Sequence, residues 1–159
     1  GRHASNRPLA NTQAKDICWE NRLPNIARQI GKHMNDASIK IPGPDHPITI
    51  ERNPNRVIVS IAGKIIADTR QALALREASY PVVQYIPRKD VDMAMLERTR
   101  HSSHCPYKGD ASYYSIPAGG ARSVNAVWTY EPPPASVAQI KDYLAFYPDR
   151  IDALEERPD

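Results

Sequence analysis

Arg56-Val57-Ile58-Val59-Ser60-Ile61-Ala62-Gly63-Lys64-Ile65-Ile66-Ala67 holds two runs rich in β-branched residues, parted by two small ones. Branched side chains are stiff at χ1 and pack well on a pleated surface, and Ala62-Gly63 is a turn signal between the runs. The segment predicts two antiparallel strands. Upstream, Ile48-Thr49-Ile50 reads as a strand that ends at the turn residues Asn53-Pro54-Asn55, so a meander is expected. Downstream, Leu73 and Leu75 alternate with smaller residues, and Pro81 to Ile86 forms a further strand closed by Pro87. Asp90 is placed to cap a short helix with Val91, Ala94 and Met95 on one face. Strands over 111–116 and 123–130 flank Pro117-Ala118-Gly119-Gly120, read as a hairpin turn, and Pro132 to Pro134 stop the second of them. Ser136 predicts a helix cap ahead of Val137, Ile140 and Leu144.

Composition agrees with a strand-rich chain. Fifteen prolines in 159 residues are hard to place in helix interiors or central strands, which favours short strands joined by turns over a helix bundle. A length of 159 residues suits one domain with one core. The net charge of +3 is mild, and part of it lies in the first forty residues, so nucleic acid is not an expected partner. The segment 152–159 is mostly acidic and reads as a solvated tail. Only Cys18 and Cys105 are present, far apart, which fits a reducing, cytoplasmic setting better than a disulfide scaffold. No apolar run approaches about 18 residues, so no membrane partner is expected.

Residues 1–36 differ from the rest. Ile17, Trp19, Leu23, Ile26 and Ile30 suit a short docking helix starting near Pro24 and ending near Gly31. The pair His33-Met34 is also what a cloning junction encodes, so the segment is either an N-terminal extension or an added one.

The densest reactive stretch is His101-Ser102-Ser103-His104-Cys105-Pro106-Tyr107-Lys108-Gly109, expected as a loop between two strands. A thiol is nucleophilic as thiolate, and Lys108 or a protonated His104 beside Cys105 favours that form. A buried, structural cysteine is the competing reading. His101-x-x-His104-Cys105 offers three ligand types, but a closed zinc site wants four and the paired Cys-x-x-Cys knuckles are missing, so no metal and no cofactor are expected. Trp128 and Tyr130 fall on one strand face, with Tyr114 expected across from them, either as core or as the lining of a ligand cleft. Arg76, Glu77, Arg88 and Asp90 flank the strand before Pro87 and suit ion pairs or an anionic substrate.

At these residues the chain resembles the bacterial family known as domain of unknown function 427, also labelled nucleotidyltransferase-like. The resemblance spans about Ile39 to Glu155. It is carried by Val59 to Gly63, Ala67-Asp68, Leu75-Arg76-Glu77, Tyr85 through Val91, Cys105 through Ala111, Asn125 through Tyr130 and Ala145-Phe146-Tyr147-Pro148. It implies a β-tent: a mainly β single domain of two antiparallel sheets with short helices, over 37–156, followed by a tail at 157–159. The fold's zinc-binding members use paired cysteine knuckles that this chain lacks. The hallmarks also imply one shared cleft, in which Cys105, Lys108 and Glu77 act as catalytic groups. Arg76, Tyr85, Arg88, Asp90, Tyr107, Trp128 and Tyr130 would bind a small-molecule ligand there. The function expected is action on a small molecule, of transferase type by the family label, or noncatalytic capture of a small ligand or peptide.

Overall fold

The structure, a computed structural model, describes residues 39–158. The helix expected near Pro24 and the residue Cys18 lie outside the described residues. Ten strands carry the fold: β1 (Ile48–Arg52), β2 (Arg56–Ile61), β3 (Lys64–Thr69), β4 (Leu73–Glu77), β5 (Val83–Pro87), β6 (Glu97–Cys105), β7 (Gly109–Ser115), β8 (Val127–Tyr130), β9 (Tyr143–Phe146) and β10 (Ala153–Arg157). They form two antiparallel sheets, with short 3-10 turns as the only helical pieces among the described residues, as the sequence led us to expect. The large sheet has the order β1-β4-β5-β9-β8-β7-β6 and the small one β10-β2-β3. No helix among the described residues is long and apolar enough to cross a membrane.

The β2–β3 hairpin forms as its sequence predicts. Ile61 pairs with Lys64, and the two residues between them, Ala62 and Gly63, both take positive φ (52° and 75°), the twist a two-residue hairpin needs. Val57, Val59 and Ile61 of β2, with Ile66 of β3, are buried against Ile86, Tyr114, Val127, Leu144 and Phe146 of the large sheet. Full burial of one such aliphatic side chain contributes about 1.5–3 kcal/mol, so this layer between the sheets is the main source of cohesion.

The opposite face of the large sheet holds a second core of Leu75, Tyr85, Cys105, Tyr113, Trp128, Tyr130, Val137, Ile140 and Tyr147. Here strand pairing corrects one expectation. Tyr113 stands opposite Trp128, while Tyr114 stands opposite Val127 and joins the first core. Neighbouring residues on a strand face opposite sides, so a shift of one position moves the ring to the other core.

Five further expectations are corrected. The stretch 101–109 is the end of β6, a three-residue turn and the start of β7, because Cys105 pairs with Gly109. Residues Pro117–Ser123 form 3-10 turns rather than a tight hairpin. Ala135–Ile140 is a 3-10 segment without a side-chain cap, and Leu144 belongs to β9, where it pairs with Ile86 and Thr129. The acidic end is no tail up to Arg157, since β10 pairs with β2 along Ala153–Arg157, and Leu154 packs on the first core. Asp90, too, does not cap the next turn. That role falls to Asp92, which accepts from the Ala94 N–H at 3.2 Å, while Asp90 accepts the Thr69 hydroxyl at 2.7 Å.

Candidate functional site: a buried charge pair behind a slot

Glu77 ends β4, where strand alternation turns Arg76 outward and Glu77 inward. Lys108 sits in the turn between β6 and β7, and Gly109 closes that turn at φ 91°, a conformation that only glycine adopts without strain. The turn thereby folds Lys108 over the inner face. Its ammonium pairs with Glu77 Oε1, and the two side chains are only 2% and 3% exposed.

Between β4 and β7 stand β5, β9 and β8. In a flat sheet four interstrand steps of about 4.8 Å put those strands roughly 19 Å apart, far beyond a lysine's reach. The large sheet therefore curls, and the pair lies in its hollow. Other side chains complete this centre. Glu77 Oε2 bonds His46 Nε2 at 2.7 Å, and the His46 ring stacks on Tyr107 with centroids 4.0 Å apart and planes within 8°. The Lys108 ammonium lies 5.9 Å from the centre of the Tyr130 ring. Cys105 and Tyr85 are close enough to couple electrostatically to Lys108.

The centre's charges follow from this packing. Burial works to strip the proton from Lys108, but the negative charge that Tyr85, Cys105 and Glu77 can carry outweighs it and holds the Lys108 pKa above the ordinary lysine value. Burial pushes the Tyr85 hydroxyl up to about 12, with Glu77 and Cys105 adding to the rise and Lys108 and the Trp128 N–H opposing it. At neutral pH Lys108 therefore keeps its ammonium charge beside Glu77, and Tyr85 stays protonated.

Segment 39–47 lies across the pair. The Lys40 amide donates to the Pro106 carbonyl at 2.8 Å, and the Ala78 amide donates to the Pro47 carbonyl at 2.8 Å. Cys105 is 1% exposed and Tyr85 1%, so this hollow is closed.

A second opening reaches the same residues from the other side. β5 pairs with β9 only through Ile86–Leu144 and Pro87–Tyr143, and beyond these two pairs the strands part. The parting makes a slot of about 280 Å³ lined by Val83, Gln84, Trp128, Phe146, Leu154 and Glu156, with Pro81, Val82 and Pro148 at its margin. Trp128 is its inner wall. The indole N–H donates to the Tyr85 hydroxyl at 3.1 Å, and the ring meets Tyr85 edge-on (6.3 Å, 90°) and Tyr147 at a tilt (4.7 Å, 50°). The slot and the charge pair are thus joined through the Trp128–Tyr85 contact.

Of the residues singled out in the sequence, Glu77, Tyr85, Cys105, Tyr107, Lys108, Trp128 and Tyr130 come together here. Arg76, Arg88 and Asp90 do not. Arg76 is exposed on the outer face of β4 opposite Thr49, and exposed Arg88 lies 3.4 Å from the Tyr114 hydroxyl on the other side of the sheet. Asp90 lines a separate polar hollow with Arg56, Asp68, Thr69, Arg70, Gln71 and Lys89. His101 and His104 also stay outside: both are exposed, the His101 ring lies against Tyr113, and His104 bonds Asp110 at 2.7 Å. No cluster of three or more His, Cys, Asp or Glu groups suited to a metal occurs among the described residues. His46, Gln84 and Glu156 were not foreseen as site residues. Register would have found the first, because the Ile48–Glu77 pair puts His46 just beyond Glu77.

A two-sheet β domain, with a closed charge pair behind an aromatic slot, is the class of protein that fold and site define. Its family is equally plain: the chain belongs to the one described as Domain of unknown function (DUF427), whose sequence model matches residues 49–157. No curated protein matches the chain.

Proposed function

We propose that the protein binds a small organic molecule in the slot between β5 and β9, with Trp128 at its inner end. The observation that carries this reading is the slot's rigid lining: the Trp128 ring, 2% exposed, bounds it while its N–H is fixed inward to Tyr85. A large aromatic held in one orientation by a buried partner is a pre-organised boundary, and little freedom is lost when a guest packs against it. At about 280 Å³ the slot suits a molecule of one or two rings.

Binding fits better than group transfer. Cys105, Lys108 and Glu77 lie behind Trp128 and Tyr85, and the charges of the last two answer each other. On this reading they brace that boundary. The slot lining holds no lysine or arginine, which speaks against a nucleoside triphosphate there. A buried thiol at Cys105 accords with a cytoplasmic setting. The catalytic alternative draws on one observation, the coupling of Tyr85 to Lys108 and Cys105, through which a guest touching Trp128 would reach a thiol beside a cation.

The test is a metabolite and fragment library titrated into the labelled full chain, read at the Trp128 indole N–H and by melting temperature. A ligand that moves the Trp128 resonance and raises the melting temperature is expected. Ligands that bind only elsewhere, or none at all, overturn the reading.

A further inference from the structure

The slot has few polar groups, and they differ in what they offer a guest. Asn53 is buried and its amide nitrogen is shared: it donates to Gln84 Oε1 at 3.0 Å and to Glu156 Oε1 at 2.9 Å. Those bonds fix both neighbours. With Oε1 of Gln84 taken by Asn53, its amide nitrogen is left as a donor with no partner among the described residues. With Oε1 of Glu156 facing Asn53, and Asn55 Nδ2 at 3.4 Å on the same oxygen, Oε2 of Glu156 is left as an acceptor. No cation among the described residues pairs with Glu156. The walls are otherwise apolar or aromatic, formed by Trp128, Phe146, Val83 and Leu154.

Exposed Glu156 sets a negative carboxylate at the rim of an otherwise apolar slot, which selects by charge. A carboxylate prefers a charge-assisted donor to a neutral one. An anion would meet Glu156 with no basic group in the lining to offset it. From these groups we infer that the slot takes a flat organic cation: a planar ring that packs between the apolar walls and carries a protonated nitrogen, of amidine or amine type, to Glu156 Oε2. The Gln84 amide nitrogen then serves an acceptor on the same molecule, where it has one. The inference rests on the slot reading above and narrows it to one ligand class.

Three planar probes of nearly equal size separate the charge from the slot: benzamidinium, benzamide and benzoate, each titrated into the full chain. The Trp128 indole resonance, assigned with Trp128→Phe, reports binding. Benzamidinium is expected to bind about three- to fivefold tighter than benzamide, the scale of one ion pair at an exposed carboxylate, with benzoate weakest. Glu156→Gln keeps the Oε1 acceptor for Asn53 and removes the charge, so it should bring benzamidinium down to the level of benzamide and leave benzamide unchanged. Benzamide or benzoate binding as tightly as benzamidinium, or benzamidinium indifferent to Glu156→Gln, overturns the cation assignment while the slot reading stands. If none of the three moves the Trp128 resonance, the slot reading falls along with it.

Discussion

Replacing Lys108 with methionine keeps the length of a buried stem and deletes its charge. In the native hollow this strands Glu77, which is 3% exposed and retains, among the described residues, only the His46 ring, at 2.7 Å, as a hydrogen-bond partner. Removing one member of a buried pair typically costs about 3–5 kcal/mol, because the remaining charge has neither water nor its partner. His46 holds the other carboxylate oxygen, so the lower end, about 3 kcal/mol, is expected for Lys108→Met. A folded unit of roughly 120 residues loses about 4 °C per kcal/mol, which puts the melting temperature down by about 12 °C. The informative partner is the double variant Lys108→Met with Glu77→Gln, in which no charge is stranded. It should be more stable than Lys108→Met alone by about 2 kcal/mol, a coupling well above the error of a double-mutant cycle. Urea unfolding of wild type, both single variants and the double, at neutral pH, measures all four corners. A Lys108→Met protein within about 1 kcal/mol of wild type, or a double variant no better than that single one, would refute the account of a closed, mutually dependent pair.

The remaining tests are simpler. Stability should fall as pH rises from 10 toward 12. Tyr85 ionises near 10 when unfolded but only at about 12 when folded, and Lys108 likewise keeps its proton to higher pH in the folded state. Both groups therefore favour the native state below their unfolded values and lose that advantage above them. The Tyr85 share is on the order of 2–3 kcal/mol, so Tyr85→Phe should flatten the alkaline slope of the urea midpoint, and an equal slope in that variant counts against it. In a Cys18→Ser background, Cys105 should react with a thiol reagent at least about a hundredfold more slowly in the native protein than in urea, because it is 1% exposed. Fast native labelling would instead favour the catalytic alternative. Gly119→Ala should destabilise by about 1–3 kcal/mol, since its Cβ would stand 2.0 Å from Ser123 Oγ and 2.4 Å from Ile61 Cδ1. Gly43→Ala, which meets nothing within 4 Å, is the matched control in thermal melts.

Much of the fold was legible because β-branched runs and turn residues act locally. Val57 to Ile61 and Lys64 to Ala67 announce their strands whatever lies around them. Strand order was not legible, since it is set by pairings such as β10 on β2, about a hundred residues apart, that no local pattern encodes. That gap explains the misjudged end of the chain. Leu154 is an apolar residue in an acidic setting, and only the open edge of β2 makes it a strand residue that packs on the core. The candidate site was legible as a set of residue types but not as a side of the sheet. Arg76 and Glu77 are adjacent, and alternation guarantees that one turns in, yet which one depends on how β4 lies between β1 and β5. The same parity separates Tyr113 from Tyr114. His104 and Cys105 divide in the same way, His104 outward and Cys105 inward.

The large sheet is sewn from two lengths of chain. β1, β4 and β5 come from residues 48–87 and β6 to β9 from residues 97–146, and within each length the strands pair with near neighbours. The two lengths share a ladder of only two residue pairs, Ile86–Leu144 and Pro87–Tyr143, with the Glu77–Lys108 bond and the Trp128–Tyr85 hydrogen bond as side-chain fastenings. Hairpins close fast and long loops close slowly, so each length assembles early and the seam between them closes late. In the native state the same seam is where the sheet opens most readily, and amides along β5 and β9 should exchange sooner than those of β2 or β7. A guest in the slot would touch both lengths of chain at once. It would act as a further fastening, felt as slowed exchange along the seam rather than as a change of shape.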